Sequence, residues 1–212
     1  MKKLLKQLTL LSLFVILVFS GLPAEEAPME VVQAAQKGIA NFAKVGPQLA
    51  KPAALDNTGL FYGFQVYTVD PEEFVHVSSL DGILKPTGLW RFVLAKDNQP
   101  LSLLTVARVE DSWTAVSIGA AQLAAEVKSV IERWPAEAGY DFRFIRIYQA
   151  RCDFIQVSKD NRTVGLIPLA ASRQTLKMDD DFDPGRVLRF SEIQVPLQGI
   201  VFEEMKRREL EK

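Results

Sequence analysis

Apolar positions change their spacing several times along the chain, and each change marks an element. Val32, Ala35, Ile39 and Phe42 recur at helical intervals and predict a helix over residues 29–43, interrupted by Gly38 and ended by Gly46-Pro47. The stretch 48–59, with Pro52 and Asn57, reads as a linker. From Leu60 the period becomes two. Phe61–Val69 is rich in aromatic and β-branched residues and is bounded by Gly59 and Asp70-Pro71, which predicts a strand. Trp90–Ala95, Leu101–Val109 and Trp113–Ser117 predict three more strands, joined by short polar connections. Such connections suit antiparallel hairpins, because a parallel pair needs a long crossover.

Leu123, Val127, Val130, Ile131 and Trp134 then line one face of a helix over 120–134, which Pro135 stops. A second set of strands follows at Phe142–Gln149, Cys152–Ser158 and Arg162–Leu169. Residues 173–186 are charged and loop-like. Ile193–Phe202 reads as a strand that Pro196 confines to an edge or a bulge. Glu203–Lys212 reads as a short solvated helix carrying Glu203–Arg207 and Glu204–Arg208 pairs. The order predicts an α+β fold with a mostly antiparallel sheet, two three-strand meanders flanking a central helix, and helices covering one face.

The first residues follow a different logic. A basic start (Lys2, Lys3, Lys6), an apolar run from Leu8 to Phe19 and a small-residue exit at Ser20–Ala24 have the three parts of an export signal. The expected organisation is a signal peptide over 1–24, a helix and linker over 25–59, and one α+β domain over 60–212. The expected location is secreted or extracytoplasmic, with an uncleaved N-terminal anchor as the minor alternative. Without residues 1–24, which hold three lysines and no acid, 22 basic residues face 26 acidic ones. A mildly acidic chain has no general attraction to phosphate backbones or anionic membranes, so neither nucleic acid nor, after cleavage, a membrane is an expected partner.

Candidate chemistry is sparse. The single Cys152 and single His76 exclude a disulfide framework and a multi-histidine metal site, and a lone cysteine in a strand is expected to be a small buried hydrophobe. Asp179, Asp181 and Asp183 form the densest group of hard oxygen ligands and are the candidate metal residues, with weak calcium binding as the only cofactor implied. Their spacing opens like a calcium-binding loop, but Pro184 stands where glycine is required and Phe190 where the closing glutamate belongs. Arg91, Arg143 and Arg146 alternate with aromatic residues and predict either a solvated strand face or a basic, aromatic patch. No G-x-S-x-G, phosphate-binding loop, H-E-x-x-H or dinucleotide glycine pattern is present.

These features predict no catalytic residues and an exported, non-enzymatic domain that binds a protein or peptide partner through its sheet face or edge strand. A hydrolase using loop carboxylates is the alternative from another class. The layout of an exported arm and a helix-covered meander also resembles the propeptide or inhibitor-like domains of secreted bacterial peptidases. That resemblance rests on architecture and implies an inhibitor or chaperone role. The oligomeric state is open at this level.

Overall fold

The computed structural model describes residues 26–45, 58–160 and 162–211. The expected export signal and most of the expected linker lie outside them. Among the described residues the fold is α+β, with five α-helices and a seven-stranded, mostly antiparallel sheet. The strands are β1 (Gly59–Thr68), β2 (Lys85–Lys96), β3 (Gln99–Val109), β4 (Ser112–Gly119), β5 (Tyr140–Ile147), β6 (Cys152–Lys159) and β7 (Arg162–Pro168). The helices are α1 (Met29–Val45), α2 (Pro71–Phe74), α3 (Ala121–Arg133), α4 (Ala170–Thr175) and α5 (Phe190–Leu210).

The strand order is β4-β3-β2-β1-β5-β6-β7. All neighbours are antiparallel except β1 and β5, which run parallel through only two register pairs, Val66 with Phe144 and Tyr67 with Ile145. The chain therefore meanders outward from the centre twice, once in each direction. Local chemistry sets the turns. Asp97 and Asn98 take positive φ values of 49° and 63° between β2 and β3, the backbone that a two-residue hairpin requires and that these side chains tolerate.

Alternation along the strands divides the core between the two faces. Trp90, Phe92 and Leu94 of β2 pack with Val31 and Ala35 of α1, whereas Val93 packs with Ala124, Val127 and Val130 of α3 on the opposite face. On β5, Phe142 and Phe144 join the α3 side, while Ile145 and Ile147 join Ile193, Leu197 and Val201 of α5. Helices thus cover both faces, α3 on one and α1 with α5 on the other, where a single covered face is the expectation from sequence. The reason is that β5 and β6 are apolar on both sides, and each side needs its own cover.

A further difference has an identifiable cause. The expected edge strand at 193–202 lies inside α5, and Pro196 sits within that helix. Ile193, Leu197 and Val201 are its buried stripe at i, i+4 and i+8, and this packing outweighs the backbone hydrogen bond a proline cannot make. The α1 helix is firmly seated. Gly38 lies where an added Cβ would come within 2.2 Å of the Ala115 side chain, so the residue that weakens the helix in the sequence is the one that lets it approach β4.

Residues 183–189 form a strap along the outer side of β7. Leu166 and Leu188 exchange two backbone hydrogen bonds of 2.8 Å each. Asp183 fastens the start of the strap by accepting from Nη1 and Nη2 of Arg133, both at 3.1 Å, and from the Gly185 N–H at 2.9 Å. Glu192 fastens its end, accepting from Arg186 at 2.9 Å and from the Arg189 N–H at 2.7 Å.

Candidate functional site

The most unusual chemistry of the fold lies on the α3 face. Alternation on β2 places Arg91 on the same side as Val93, alternation on β5 places Arg146 beside Phe144, and alternation on β6 places Asp153 beside Ile155. Three ionisable side chains therefore enter a face built mainly of hydrophobic residues. The Arg146 Nη1 donates to both carboxylate oxygens of Asp153 at 3.3 Å. Above them, Glu126 of α3 accepts from Arg173 of α4 at 2.7 Å and from the Ala170 N–H at 3.0 Å. The Asp153 backbone carbonyl accepts from the Leu169 N–H at 3.0 Å and from Ser172 Oγ at 2.5 Å, which ties α4 to the same spot.

Burial dominates the electrostatics here. It pushes the Asp153 carboxyl above the ordinary carboxylate range, against the pull of Arg146 and Arg91, with Glu126 adding to the push. It also lowers the Arg91 guanidinium from its usual value; Asp153 opposes that shift and Arg146 adds to it. The Arg91 guanidinium lies 5.4 Å from the centre of the Phe144 ring, and its Nε and Nη1 are buried without a hydrogen-bond acceptor. The ring face offers some compensation to the cation but no acceptor for those N–H groups.

Phe144 also lines a narrow cleft with Tyr62, Phe64, Val127, Ile131, Phe142 and Ile155. Its cavity volume is about 10 Å³, close to the least space that holds one water molecule. Burial, with help from Asp141, pushes the Tyr62 phenol up to about 12. The cleft is thus a packing feature between α3 and the sheet, not a chamber of substrate size.

No family model, curated protein or solved structure matches this chain.

The residues singled out from the sequence fare differently. Asp179 and Asp181 are exposed, while the Asp183 carboxylate is engaged by Arg133 and Gly185. Among the described residues no three His, Cys, Asp or Glu side chains come together in a way that could hold a metal ion. Asp183 serves the strap. Cys152 is buried, its Sγ donates to the Ala150 carbonyl at 3.4 Å, and burial raises its thiol pKa, which leaves little thiolate for nucleophilic chemistry. His76 stands exposed in the turn after α2.

The three alternating arginines divide between the faces. Arg91 and Arg146 share the α3 side, whereas Arg143 points to the other side and lies 5.4 Å from the Tyr67 ring. Asp153, Glu126 and Arg173 escaped the sequence reading. The available signal was Asp153 itself, an acid inside an otherwise apolar strand (CDFIQV), which needs a cation from elsewhere in the fold.

A second feature concerns the sheet's ends. β4 forms one edge, and its eight residues (SWTAVSIG) carry no charge and no proline. It pairs only with β3 among the described residues. Its register shifts by one at Val116, which is 45% exposed. β7 forms the other edge, with the matching shift at the exposed Val164, but there the strap supplies a partner for Leu166.

Proposed function

We propose that the protein is an exported, non-enzymatic domain that binds a protein or peptide partner, and that the partner adds as an extended strand to β4. The observation that carries this reading is the state of the β4 edge: a neutral strand with no covering segment among the described residues. Folded proteins generally blunt such edges with charge, proline or a cover, because unpaired N–H and C=O groups recruit other strands. The covered faces leave little open sheet surface, so the edge is favoured over the face as the docking site.

The α1 side of β4 supplies specificity. Trp113 and Ala115 lie half-buried against α1 there, so a partner's alternate side chains would extend this apolar layer, while backbone hydrogen bonds supply affinity. The shift at Val116 bends the strand midway and favours a short pairing segment on either side of it. The narrowness of the Phe144 cleft and the buried Cys152 support a binding role over catalysis.

A photo-crosslinking amino acid at position 116 or 117, in the full chain expressed in its own cell, tests the reading. Cross-linking to one reproducible partner, lost in Val116→Lys, is the expected result. A partner captured equally well by Val116→Lys, or captured only through a crosslinker on another surface, overturns it.

A further inference from the structure

We propose that the charged cluster on the α3 face is a receptor for one carboxylate group, with Arg146 receiving it and the half-buried Arg91 supplying the positive potential behind it. Three guanidinium groups, Arg91, Arg146 and Arg173, lie about two carboxylates, Asp153 and Glu126, so the cluster carries an excess of one positive charge. The excess resides on the Arg91 side. Arg173 is committed to Glu126 and to the Pro168 carbonyl at 2.8 Å, and Arg146 is the partner of Asp153. Arg91 faces an aromatic ring and the more distant fields of Asp153 and Tyr148, and its Nε and Nη1 have no acceptor.

Arg146 is placed to meet a ligand. It bonds to Asp153 through Nη1 alone, its side chain is 30% exposed against 7% for Asp153, and the exposed Tyr148 ring lies 5.6 Å from its guanidinium carbon. A planar carboxylate matches the free side of a guanidinium and neutralises a single excess charge. The carboxylates of Asp153 and Glu126 disfavour a phosphate dianion at the same spot, because a second negative charge would have no cation left to meet it. This site is separate from β4, so it stands or falls independently of strand addition.

Such a carboxylate belongs either to a small organic acid or to a peptide. Titrating the full chain with sodium acetate against sodium chloride at constant ionic strength, followed by thermal denaturation and by the arginine Nε–H NMR signals, tests for the first source. N-acetyl-triglycine with a free C-terminus, compared with its C-terminal amide, tests for the second.

The expected result is a saturable rise in Tm with acetate or with the free-acid peptide, accompanied by movement of the Arg91 and Arg146 signals. Arg91→Met is expected to keep its Tm in chloride while binding the carboxylate at least tenfold more weakly, whereas a purely structural Arg91 would lower that Tm. The NMR titration of the unmodified protein keeps the test decisive if the variant does not fold. Several outcomes overturn the proposal: no saturable response, equal responses to phosphate and acetate, equal responses of acid and amide without an acetate response, or a response unchanged in Arg91→Met.

Discussion

β4 and β7 occupy equivalent places at the two ends of one sheet. Both slip register by one residue at an exposed valine, Val116 in one and Val164 in the other. Their outer sides are treated in opposite ways. A strap fastened at both ends by ion pairs lies against β7, and nothing comparable among the described residues lies against β4. A bulge common to both edges is therefore not what distinguishes them. The strap is: among the described residues it covers β7 and leaves β4 paired with β3 alone.

The comparison breaks most severely at the strap's apolar anchor. Leu188 is buried in the core beneath α5, and Leu188→Ala is expected to cost about 2–5 kcal/mol in urea unfolding while uncovering β7. Gly165→Ala tests the same edge from the other side. Its Cβ would stand 2.5 Å from the Leu188 carbonyl oxygen and from the Val187 side chain, so the strap must move away at a cost of about 1–3 kcal/mol. Faster hydrogen exchange at Leu166 and Leu188 in both variants would confirm that the strap is what protects β7.

Acid offers a gentler release. Arg133, together with the Gly185 N–H, holds the Asp183 carboxyl below its usual range. Its contribution is thus fully present above the unfolded-state value of about 3.9, and is lost as the pH falls through the lower folded-state value. Hydrogen exchange at Leu188 should rise as the pH drops below about 4, after correction for intrinsic rates, and Arg133→Gln should abolish that dependence. Asp153 has the opposite sign. Its pKa is raised in the fold, so stability from this group declines as the pH climbs from the unfolded value through the folded one. The smallest effect belongs to Val116→Lys, which should alter the unfolding free energy by less than about 0.5 kcal/mol while giving β4 the charge it lacks.

Periodicity made most elements legible before any coordinates. All five stripe residues, Leu123, Val127, Val130, Ile131 and Trp134, pack in the core as their spacing implies, and the strands on either side of the polar connections, β2 with β3 and β6 with β7, do pair antiparallel. Spacing failed where two signals conflicted. In 193–202 the proline and the β-branched residues read as an edge strand, yet Ile193, Leu197 and Val201 carried a helical repeat that tertiary packing selected. The charged cluster was harder to see for another reason. Arg91, Arg146, Asp153, Glu126 and Arg173 come from three strands and two helices, and only strand order brings them together. The acidic run 179–183 stood out in the sequence because its members are neighbours, but Asp183 found its partner fifty residues away on α3.

The parallel contact between β1 and β5 spans just two register pairs, yet among the described residues it is the only strand pairing that joins the outward-running halves. Val127 and Val130 of α3 share one apolar cluster with Phe64 and Val93 on one half and with Phe142, Phe144 and Ile155 on the other. That helix is the keel of the molecule. A protease nick in the 134–139 connection would leave two pieces held together chiefly by side chains, and mechanical load across the seam would be borne by those contacts long after the short ladder had parted.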